Sequence, residues 1–326
     1  MTVFRFPIFI AIAVAVSAVA HGATGTDYNV LVLMTDEHNP RIMGCAGDPL
    51  VKTPTLDALA ASGVRFTAAY CQNPVCVPSR ASLVSGRMPS NMEVFGNNVA
   101  NSIAYQNITT LADVFVHAGY QAAWFGKTHW GNPRFPATGR GGDNKRDAAA
   151  EMDESFGRLP QESQVSKWPV EKNPEHLTAN EALAFLDQNR AQKFFLGVSF
   201  VKPHFPFTIQ QKYFDLYKGK VPPPRASRKL IAELPAVSKR ERENYHHADA
   251  TTEDIQRTRA MYYGMVTYVD EEFGRIMRKL DELGLREKTI IVYTADHGEM
   301  LGDRGIWYKN SFYDGSVTIP FIWSFP

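Results

Sequence analysis

The sequence predicts an α/β protein built on a mostly parallel central sheet with helices on both faces. Short apolar runs such as 28–34, 193–200 and 289–294 alternate along the chain with segments of helical periodicity, which is typical of parallel sheets with crossover helices. The runs are nearly continuous, as in strands that are covered on both faces. Two of them also end abruptly in acidic residues, and the carboxyl ends of such strands are where α/β sheets bind their ligands.

The predicted helices lie between residues that start or stop helices. Each helix with its boundary signal is as follows: 53–62 with Pro54 and Gly63, 79–84 after Pro78, 110–118 before Gly119, 179–189 with a capping box of Thr178 and Glu181, and 254–283 before Gly284. Two further strands are predicted at 64–70 and 120–125. Residues 131–174, rich in glycine, proline and charge, and residues 221–249 are predicted as loops that decide substrate choice.

Composition excludes several classes of protein. The chain has 326 residues, of which 44% are hydrophobic and 21% charged, so it is not a coiled coil, a collagen or a largely disordered chain. Its formal net charge of +1 offers no basic excess for binding nucleic acid. The three cysteines are too few for a disulfide scaffold, and their odd number leaves at least one thiol unpaired.

Residues 1–20 have the three-part layout of a secretory signal peptide. Arg5 precedes an apolar run at 6–16, and the small residues Ala18 and Ala20 fit a cleavage site. The alternative, an uncleaved membrane anchor, needs about 20 apolar residues, more than this run contains. We therefore expect an exported protein, periplasmic or secreted, with a mature catalytic domain at 21–326 and no stable membrane insertion after cleavage.

Acidic residues follow two predicted strands that lie far apart in the chain. Asp36 and Glu37 follow the first strand, and Asp296 and His297 follow the last. Ligands of α/β sheets bind beyond the carboxyl ends of strands, and carboxylates with an imidazole suit a hard divalent cation such as Ca²⁺ or Mg²⁺. Either pair alone could be an ordinary turn, but the two together predict a metal site. His38, next to the first pair, could reach a substrate.

The strongest functional signal is the segment 76–87, CVPSRASLVSGR. It resembles the signature C-x-P-S-R-x-x-x-x-[ST]-G-R of the sulfatase family, in which the cysteine is oxidised to Cα-formylglycine, an aldehyde that hydrates to the nucleophile. The Pro-Ser pair is typical of a helix start, so Cys76 would lie at a helix N-terminus, where backbone N–H groups and Arg80 favour an anion. A thiolate nucleophile and a Cys71–Cys76 disulfide are the alternatives. Cys45 and Cys71 are expected to be buried or unreactive, or to pair with each other.

Other segments resemble the same family in order along the chain. The first strand with its acidic end and TADHGE at 294–299 resemble the metal-binding segments, although Glu37 stands where members carry Asp or Gln. GKTHWG at 126–131 and PHFP at 203–206 resemble segments that act on the sulfate and the leaving group, and 302–309 resembles a stretch that ends in a sulfate-binding lysine. The resemblance therefore implies the metal ligands Asp36, Glu37, Cys76, Asp296 and His297 and the catalytic residues Cys76, Arg80, Lys127, His129, His204 and Lys309.

The resemblance also implies what these groups do. Lys127 and Lys309 bind the sulfate oxygens, and Asp296 helps to deprotonate the nucleophile. His204, with Lys309, protonates the leaving oxygen, and His129 deprotonates the second hydroxyl so that sulfate is expelled. The implied cofactors are a divalent metal, with Ca²⁺ favoured over Mg²⁺, and the formylglycine, which a formylglycine-generating enzyme or an equivalent maturase would make.

The resemblance covers residues 28–326 and is closest in look to choline-sulfatase-like and iduronate-sulfatase-like members. It implies an alkaline-phosphatase-like fold and a sulfuric ester hydrolase acting on the sulfate monoester of a small molecule or, for an exported enzyme, a carbohydrate. A phosphonate or phosphate monoester hydrolase of the same superfamily and a non-catalytic carbohydrate-binding relative are the alternatives. Members usually continue past the segment that ends at Pro326 into a smaller C-terminal subdomain, which we expect to be missing here.

Overall fold

The structure is a computed structural model. The residues that it describes are 28–97, 108–129, 160–245 and 247–326. The predicted signal peptide at 1–20 and most of the predicted loop at 131–174 lie outside the described residues. Within the described ranges, none of the helices has both the length and the apolar character needed to cross a bilayer.

A six-stranded sheet forms the centre of the fold. From one edge to the other, its strands are β2 (Gly63–Arg65), β8 (Phe321–Ser324), β7 (Thr289–Ala295), β1 (Asn29–Thr35), β5 (Phe194–Ser199) and β3 (Gln121–Gly126). The four strands from β7 to β3 are parallel, whereas β8 runs antiparallel to both of its neighbours. The prediction of a mostly parallel sheet is therefore confirmed. A separate two-stranded sheet pairs β4 (Gln164–Ser166) with β6 (Thr208–Gln210).

Helices cover both faces of the central sheet, as predicted. In chain order the described α-helices are α1 (Pro54–Ala61), α2 (Cys76–Ser85), α3 (Leu111–His117), α4 (Pro174–Asn189), α5 (Gln211–Tyr217), α6 (Arg228–Ala232), α7 (Ala236–Asn244), α8 (Thr252–Glu282) and α9 (Asp314–Val317). Apolar residues of α1, α4 and α8 form the core on one face, and those of α2 and α3 form the core on the other.

The apolar run of β1 is continuous because successive side chains enter opposite cores. Leu31 and Leu33 pack toward α1, α4 and α8, while Val32 and Met34 pack toward α2 and α3. A strand that is covered on both faces needs an apolar residue at every position. The run therefore stops only where the strand leaves the sheet, immediately before Asp36.

Most predicted helix bounds agree with the structure to within a residue or two. Thr110 and Thr251 cap α3 and α8 through reciprocal bonds with Asp113 and Asp254. These capping boxes stabilise the first turn by satisfying backbone N–H groups that have no partner within the helix. Helix α2 starts earlier than the predicted residue 79, and it places Cys76 in its first turn as expected.

The predicted start of α4 at 179 is wrong. The helix begins at Pro174, with Asn173 as its N-cap residue. Thr178 is buried inside the helix, so it does not form the predicted capping box with Glu181. Proline fits the first turn of a helix, where its missing N–H would have no partner in any case, and the helix extends back to it.

The predictions for three other segments also need correction. The predicted loop at 221–249 contains α6 and α7, which are short and polar and so give little apolar periodicity. The predicted loop at 131–174 contains β4 near its end. The predicted strand at 64–70 is reduced to β2 and one isolated bridge between Tyr70 and Thr318, because β8 pairs with only three residues there.

Candidate active site

The two acidic strand ends meet at the centre of the sheet. Strands β1 and β7 are direct neighbours and parallel, with Thr35 opposite Ala295. Asp36 and Asp296 therefore leave the sheet side by side, and both side chains are fully buried. The prediction that the two clusters come together is confirmed, at the edge where α/β sheets bind ligands.

Cys76 lies in front of these carboxylates, in the first turn of α2. Its Sγ lies 3.2 Å from Nε2 of His297, 3.7 Å from Oδ1 of Asp36 and 3.8 Å from Nζ of Lys127. Burial and the charge of Asp36 oppose ionisation of the thiol, but Lys127, Lys309 and His297 outweigh them and hold its pKa well below the usual value. The position therefore stabilises an anion, as the helix N-terminus also does.

Arg80, one turn further along α2, is fully buried and joins four segments. Its Nε donates to Oδ2 of Asp296 at 2.7 Å, and its Nη2 donates to Oδ2 of Asp36 at 3.1 Å. Its Nη1 donates to the carbonyl oxygen of Lys127 at 2.8 Å and to Oγ of Ser199 at 2.9 Å. The guanidinium thus ties α2 to residues at the ends of β1, β7, β3 and β5.

A second group of charges lies around Asp36 and Glu37. Nζ of Lys127 pairs with Oδ2 of Asp36. Nζ of Lys309 donates to Oε2 of Glu37 at 3.0 Å and lies 2.7 Å from Nε2 of His204. Nδ1 of His204 lies 2.5 Å from the carbonyl oxygen of Phe205, which can only accept. Nδ1 therefore carries the proton, and Nε2 accepts from Lys309.

The donor set suits a divalent cation. Oδ1 of Asp36 and of Asp296 lies 3.6 Å from Nε2 of His297, and the Sγ of Cys76 lies in the same group, whose donor atoms are all within 4.8 Å of one another. Nδ1 of His297 donates to the carbonyl oxygen of Gly298 at 3.0 Å. Although burial acts against it, Asp296 and Cys76 raise the pKa of His297 to about 9, so Nε2 is protonated at pH 7 and would give up this proton to a bound metal. Lone pairs that converge in a buried place need a cation between them.

Glu37 adds a further oxygen to this set. Its Oε1 is buried and accepts no hydrogen bond from a donor among the residues that the structure describes. With Asp36 and His204 it forms a second group whose ligand atoms lie within 4.8 Å of one another. Burial raises the pKa of Glu37 well above the usual value, although Lys309 acts in the opposite direction. A cation would relieve this cost because it would balance the carboxylate charge.

Nine of the ten residues predicted for the site gather in this one cluster. The tenth, His129, lies two residues beyond Lys127, half-buried and with a left-handed φ of 57°. Its role in the chemistry stays a prediction. The nine that gather are Asp36, Glu37, Cys76, Arg80, Lys127, His204, Asp296, His297 and Lys309.

The expectation for His38 is wrong. Its ring is buried beneath the site, with Nδ1 2.5 Å from the hydroxyl of Tyr293 and Nε2 3.0 Å from the carbonyl oxygen of Ile42. Burial lowers the pKa of His38 to about 4. Both ring nitrogens are used inside the fold, so the side chain is not directed at a substrate.

The disulfide alternatives are also wrong, since Cys45, Cys71 and Cys76 are all free thiols. Burial raises the pKa of Cys45 to about 11 and that of Cys71 to about 12. These two thiols are therefore unreactive, as expected. Cys76 is the exception, because cations surround it.

Sequence reasoning missed two residues that hold the site together. Ser79 donates from Oγ to the carbonyl oxygen of Asp296 at 2.5 Å, and Ser199 accepts from Arg80. Ser199 ends β5, which lies directly beside β1. A signal for Ser199 existed, because the strand at 193–200 is the other long apolar run, and its polar end could have been compared with the two acidic ends.

The structure thus places buried carboxylates, cations and a helix-terminal cysteine together at the carboxyl edge of an α/β sheet, where such folds bind their ligands. The sequence model of the sulfatase family matches residues 28–326, and the chain belongs to that family. It is 29% identical to iduronate 2-sulfatase of Mus musculus, over 95% of this chain and 61% of that protein. It is 28% identical to choline-sulfatase of Rhizobium meliloti (strain 1021), over 90% of this chain and 62% of that protein.

Solved structures agree with the fold. The crystal structure of a phosphonate monoester hydrolase of Agrobacterium radiobacter superimposes with a TM-score of 0.76 at 25% identity, over 92% of this chain and 68% of that chain. The chain thus spans about three fifths of the length of the curated relatives above. All of the strands that carry the site fall within the matched residues.

We expect Ca²⁺ to raise the thermal unfolding midpoint of the protein, and Asp296→Asn to remove most of that rise. A ligand of the folded state adds about 2.7 kcal/mol of stability when its free concentration is about 100 times its Kd. Calorimetry with Ca²⁺ or with chelator measures the effect. Asp270→Asn is the matched control, since Asp270 is buried but lies outside the cluster. Equal Ca²⁺ responses of the two variants would contradict the metal site.

Proposed function

We propose that the protein is a sulfuric ester hydrolase that cleaves sulfate monoesters. The observation that carries this proposal is the position of Cys76, in the first turn of α2 and within 3.8 Å of Asp36, Lys127 and His297. In a mature enzyme of this kind, the Sγ of Cys76 would stand for a hydroxyl oxygen of hydrated formylglycine. The sulfatase family match over the same segment supports this maturation.

A divalent cation and a formylglycine would supply chemistry that the side chains lack. A divalent cation held by Asp36, Glu37, Asp296 and His297 would supply positive charge to the ester oxygens. Hydrated formylglycine at residue 76 would supply two hydroxyl groups on one carbon, one as the nucleophile and one to assist the release of sulfate. We propose Ca²⁺ ahead of Mg²⁺, because the donor set is mostly carboxylate.

The cations of this chain hold the charges in place. Arg80 fixes Asp36 and Asp296 at 3.1 and 2.7 Å and so orients the acidic half of the site. Lys127 pairs with Asp36 and Lys309 pairs with Glu37, and we propose that both lysines bind the oxygens of the sulfate group. Cations that are fixed before the substrate arrives stabilise the transition state without reorganising.

We propose that His204 and Lys309 act together at the leaving group. Burial, aided by the charge of Lys309, lowers the pKa of His204 to about 4, so the ring is neutral at pH 7. Since Nε2 of His204 has no proton of its own, the ammonium of Lys309, 2.7 Å away, is the adjacent source of one. A proton on this pair can pass to the leaving oxygen as it gains charge. His129 is proposed as the base that assists release of sulfate.

A sulfated carbohydrate is the proposed substrate class. Aromatic rings extend from the leaving-group pair: Phe205 stacks on His204 at 4.1 Å, and Tyr308 lies 4.5 Å from Phe205. Tyr245, which is 41% exposed, lies 5.7 Å from Tyr308. Such rings suit a ring-shaped leaving group. The name of the iduronate 2-sulfatase relative also indicates a sugar acid. The layout of residues 1–20 supports export to a place where polysaccharides occur.

We expect Cys76→Ala to lower kcat/KM for an aryl sulfate by about 10⁴-fold or more, because the nucleophile is removed. Cys71→Ala, which removes an unreactive thiol five residues earlier, should keep wild-type activity. Mass spectrometry of the wild-type peptide that contains residue 76 should show an aldehyde in place of the thiol. Robust turnover by Cys76→Ala would contradict the mechanism, and would favour a different nucleophile.

The second candidate is a phosphonate monoester hydrolase, which the fold match favours. We expect the wild-type kcat/KM for nitrophenyl sulfate to exceed that for the nitrophenyl ester of phenylphosphonate, because the sulfatase family model matches residues 28–326. Parallel assays with the same leaving group and the same metal measure the ratio. A ratio in favour of the phosphonate would establish the second candidate. Turnover of neither ester, nor of a sugar sulfate, by formylglycine-containing protein would indicate the non-catalytic alternative.

A further inference from the structure

Glu299 is a buried glutamate that the mechanism above does not use. Its side chain is completely shielded from solvent. One carboxylate oxygen, Oε1, accepts the backbone N–H of Leu301 at 2.7 Å and that of Tyr308 at 2.6 Å. Leu301 and Tyr308 are the two ends of the loop that follows the metal-binding segment. A single oxygen therefore closes both ends of this loop.

The two N–H groups belong to residues in an uncommon conformation. Leu301 has a φ of 48° and Tyr308 a φ of 66°, in the left-handed region that favours glycine. Such residues persist only where their surroundings hold them. The loop contains further left-handed residues, Arg304 among them. The hydrogen bonds to Glu299 thus stabilise the backbone at two residues that have an unfavourable conformation.

Lys309 follows Tyr308 directly, so the carboxylate of Glu299 fixes the backbone from which that lysine extends. From there Nζ of Lys309 reaches Oε2 of Glu37 at 3.0 Å and Nε2 of His204 at 2.7 Å. A shift in Tyr308 would move the ammonium away from both partners. Misplacement of a reacting group by about 1 Å can cost about 100-fold in rate.

The backbone of Glu299 makes a second connection to the site. Its carbonyl oxygen accepts Nδ2 of Asn39 at 2.7 Å. The backbone N–H of Asn39 donates to the hydroxyl of Tyr262 at 2.9 Å, and that hydroxyl donates to the carbonyl oxygen of Glu37 at 2.6 Å. Glu37 also has a left-handed φ, 64°. The loop that bears Glu37 and the loop that bears Lys309 are therefore held to each other through Glu299.

We propose that Glu299 is a positioning residue that sets the distance from Lys309 to His204 and Glu37. It acts through the backbone of Tyr308 and does not touch the substrate. The proposal rests on the proposed function, in which Lys309 and His204 serve the leaving group. Glu299 should therefore matter most for esters whose leaving oxygen is strongly basic, such as sugar sulfates, and less for nitrophenyl sulfate.

The test compares Glu299→Ala and Glu299→Gln with Asp270→Ala. Asp270 is a matched control, because it is equally buried and likewise accepts two backbone N–H groups, those of Thr55 at 2.9 Å and Leu56 at 2.8 Å. Those bonds fix the start of α1 rather than the site. Glutamine keeps Oε1 as an acceptor, so Glu299→Gln should rescue what Glu299→Ala loses.

The first measurement is amide hydrogen exchange in the peptide 300–309. This measurement does not depend on enzymatic activity. Glu299→Ala should speed exchange of the Leu301 and Tyr308 amides at least tenfold, whereas Glu299→Gln and Asp270→Ala should leave them near the wild-type rate. The second readout is kinetic. Glu299→Ala should lower kcat for a sugar sulfate about 100-fold with KM within threefold, and should cost less than threefold in a Lys309→Ala background.

Unchanged exchange in Glu299→Ala would overturn the proposal. A kcat loss in Glu299→Ala no larger than that in Asp270→Ala would also overturn it. The same holds if Glu299→Ala lowers kcat as much in the Lys309→Ala background as in the wild type. If Glu299→Ala does not fold, the Glu299→Gln variant provides the test. Amide exchange at the wild-type rate and a kcat within tenfold of the wild type support the proposal. Faster exchange together with a larger loss of kcat refutes it. If wild-type protein turns over no ester, the proposed function fails, while the exchange readout still shows whether Glu299 orders the loop.

Discussion

The guanidinium of Arg80 joins the carboxylates that end two neighbouring strands of the sheet. It donates to Asp296 and Asp36, and on its other side to the carbonyl oxygen of Lys127 and the hydroxyl of Ser199. Burying three charges so deeply costs several kcal/mol each unless they are paired and hydrogen-bonded. Here the pairing is nearly complete, and it fixes α2, with Cys76 in its first turn, against the edge of the sheet. The position of Cys76 thus depends on one buried cation.

The cationic side chains of the site do not fully balance its buried carboxylates. Burial raises the pKa values of Glu37, Asp296 and Glu299. Asp36 is the exception, because Lys127 and Arg80 help to outweigh its burial and hold its pKa well below the usual value. A divalent cation among these oxygens would favour the ionised form of every one of them. The candidate metal site and the positions of these buried carboxylates therefore depend on the same balance of charge.

The sequence predicted much of this arrangement for a physical reason. Strands that are covered on both faces must be apolar throughout, so the polar residues that end them, such as Asp36 and Asp296, stand out. The cysteine segment at 76–87 stands out because its residues match the spacing of the sulfatase signature. The sequence does not show the backbone conformation or the direction of a side chain. Glu299 binds backbone N–H groups of residues with left-handed φ, and the side chain of His38, next to Glu37, points into the core. These depend on long-range packing that no local pattern encodes.

Urea unfolding of Arg80→Met in the presence of a chelator measures most directly whether the guanidinium holds the two strand ends together. We predict a loss of about 3–5 kcal/mol in the free energy of unfolding, because Asp36 and Asp296 are then buried without their counter-charge. Adding Asp296→Asn should restore part of that loss, since the two changes are coupled. An Arg80→Met variant that unfolds at the same urea concentration as the wild type would contradict the role given to Arg80.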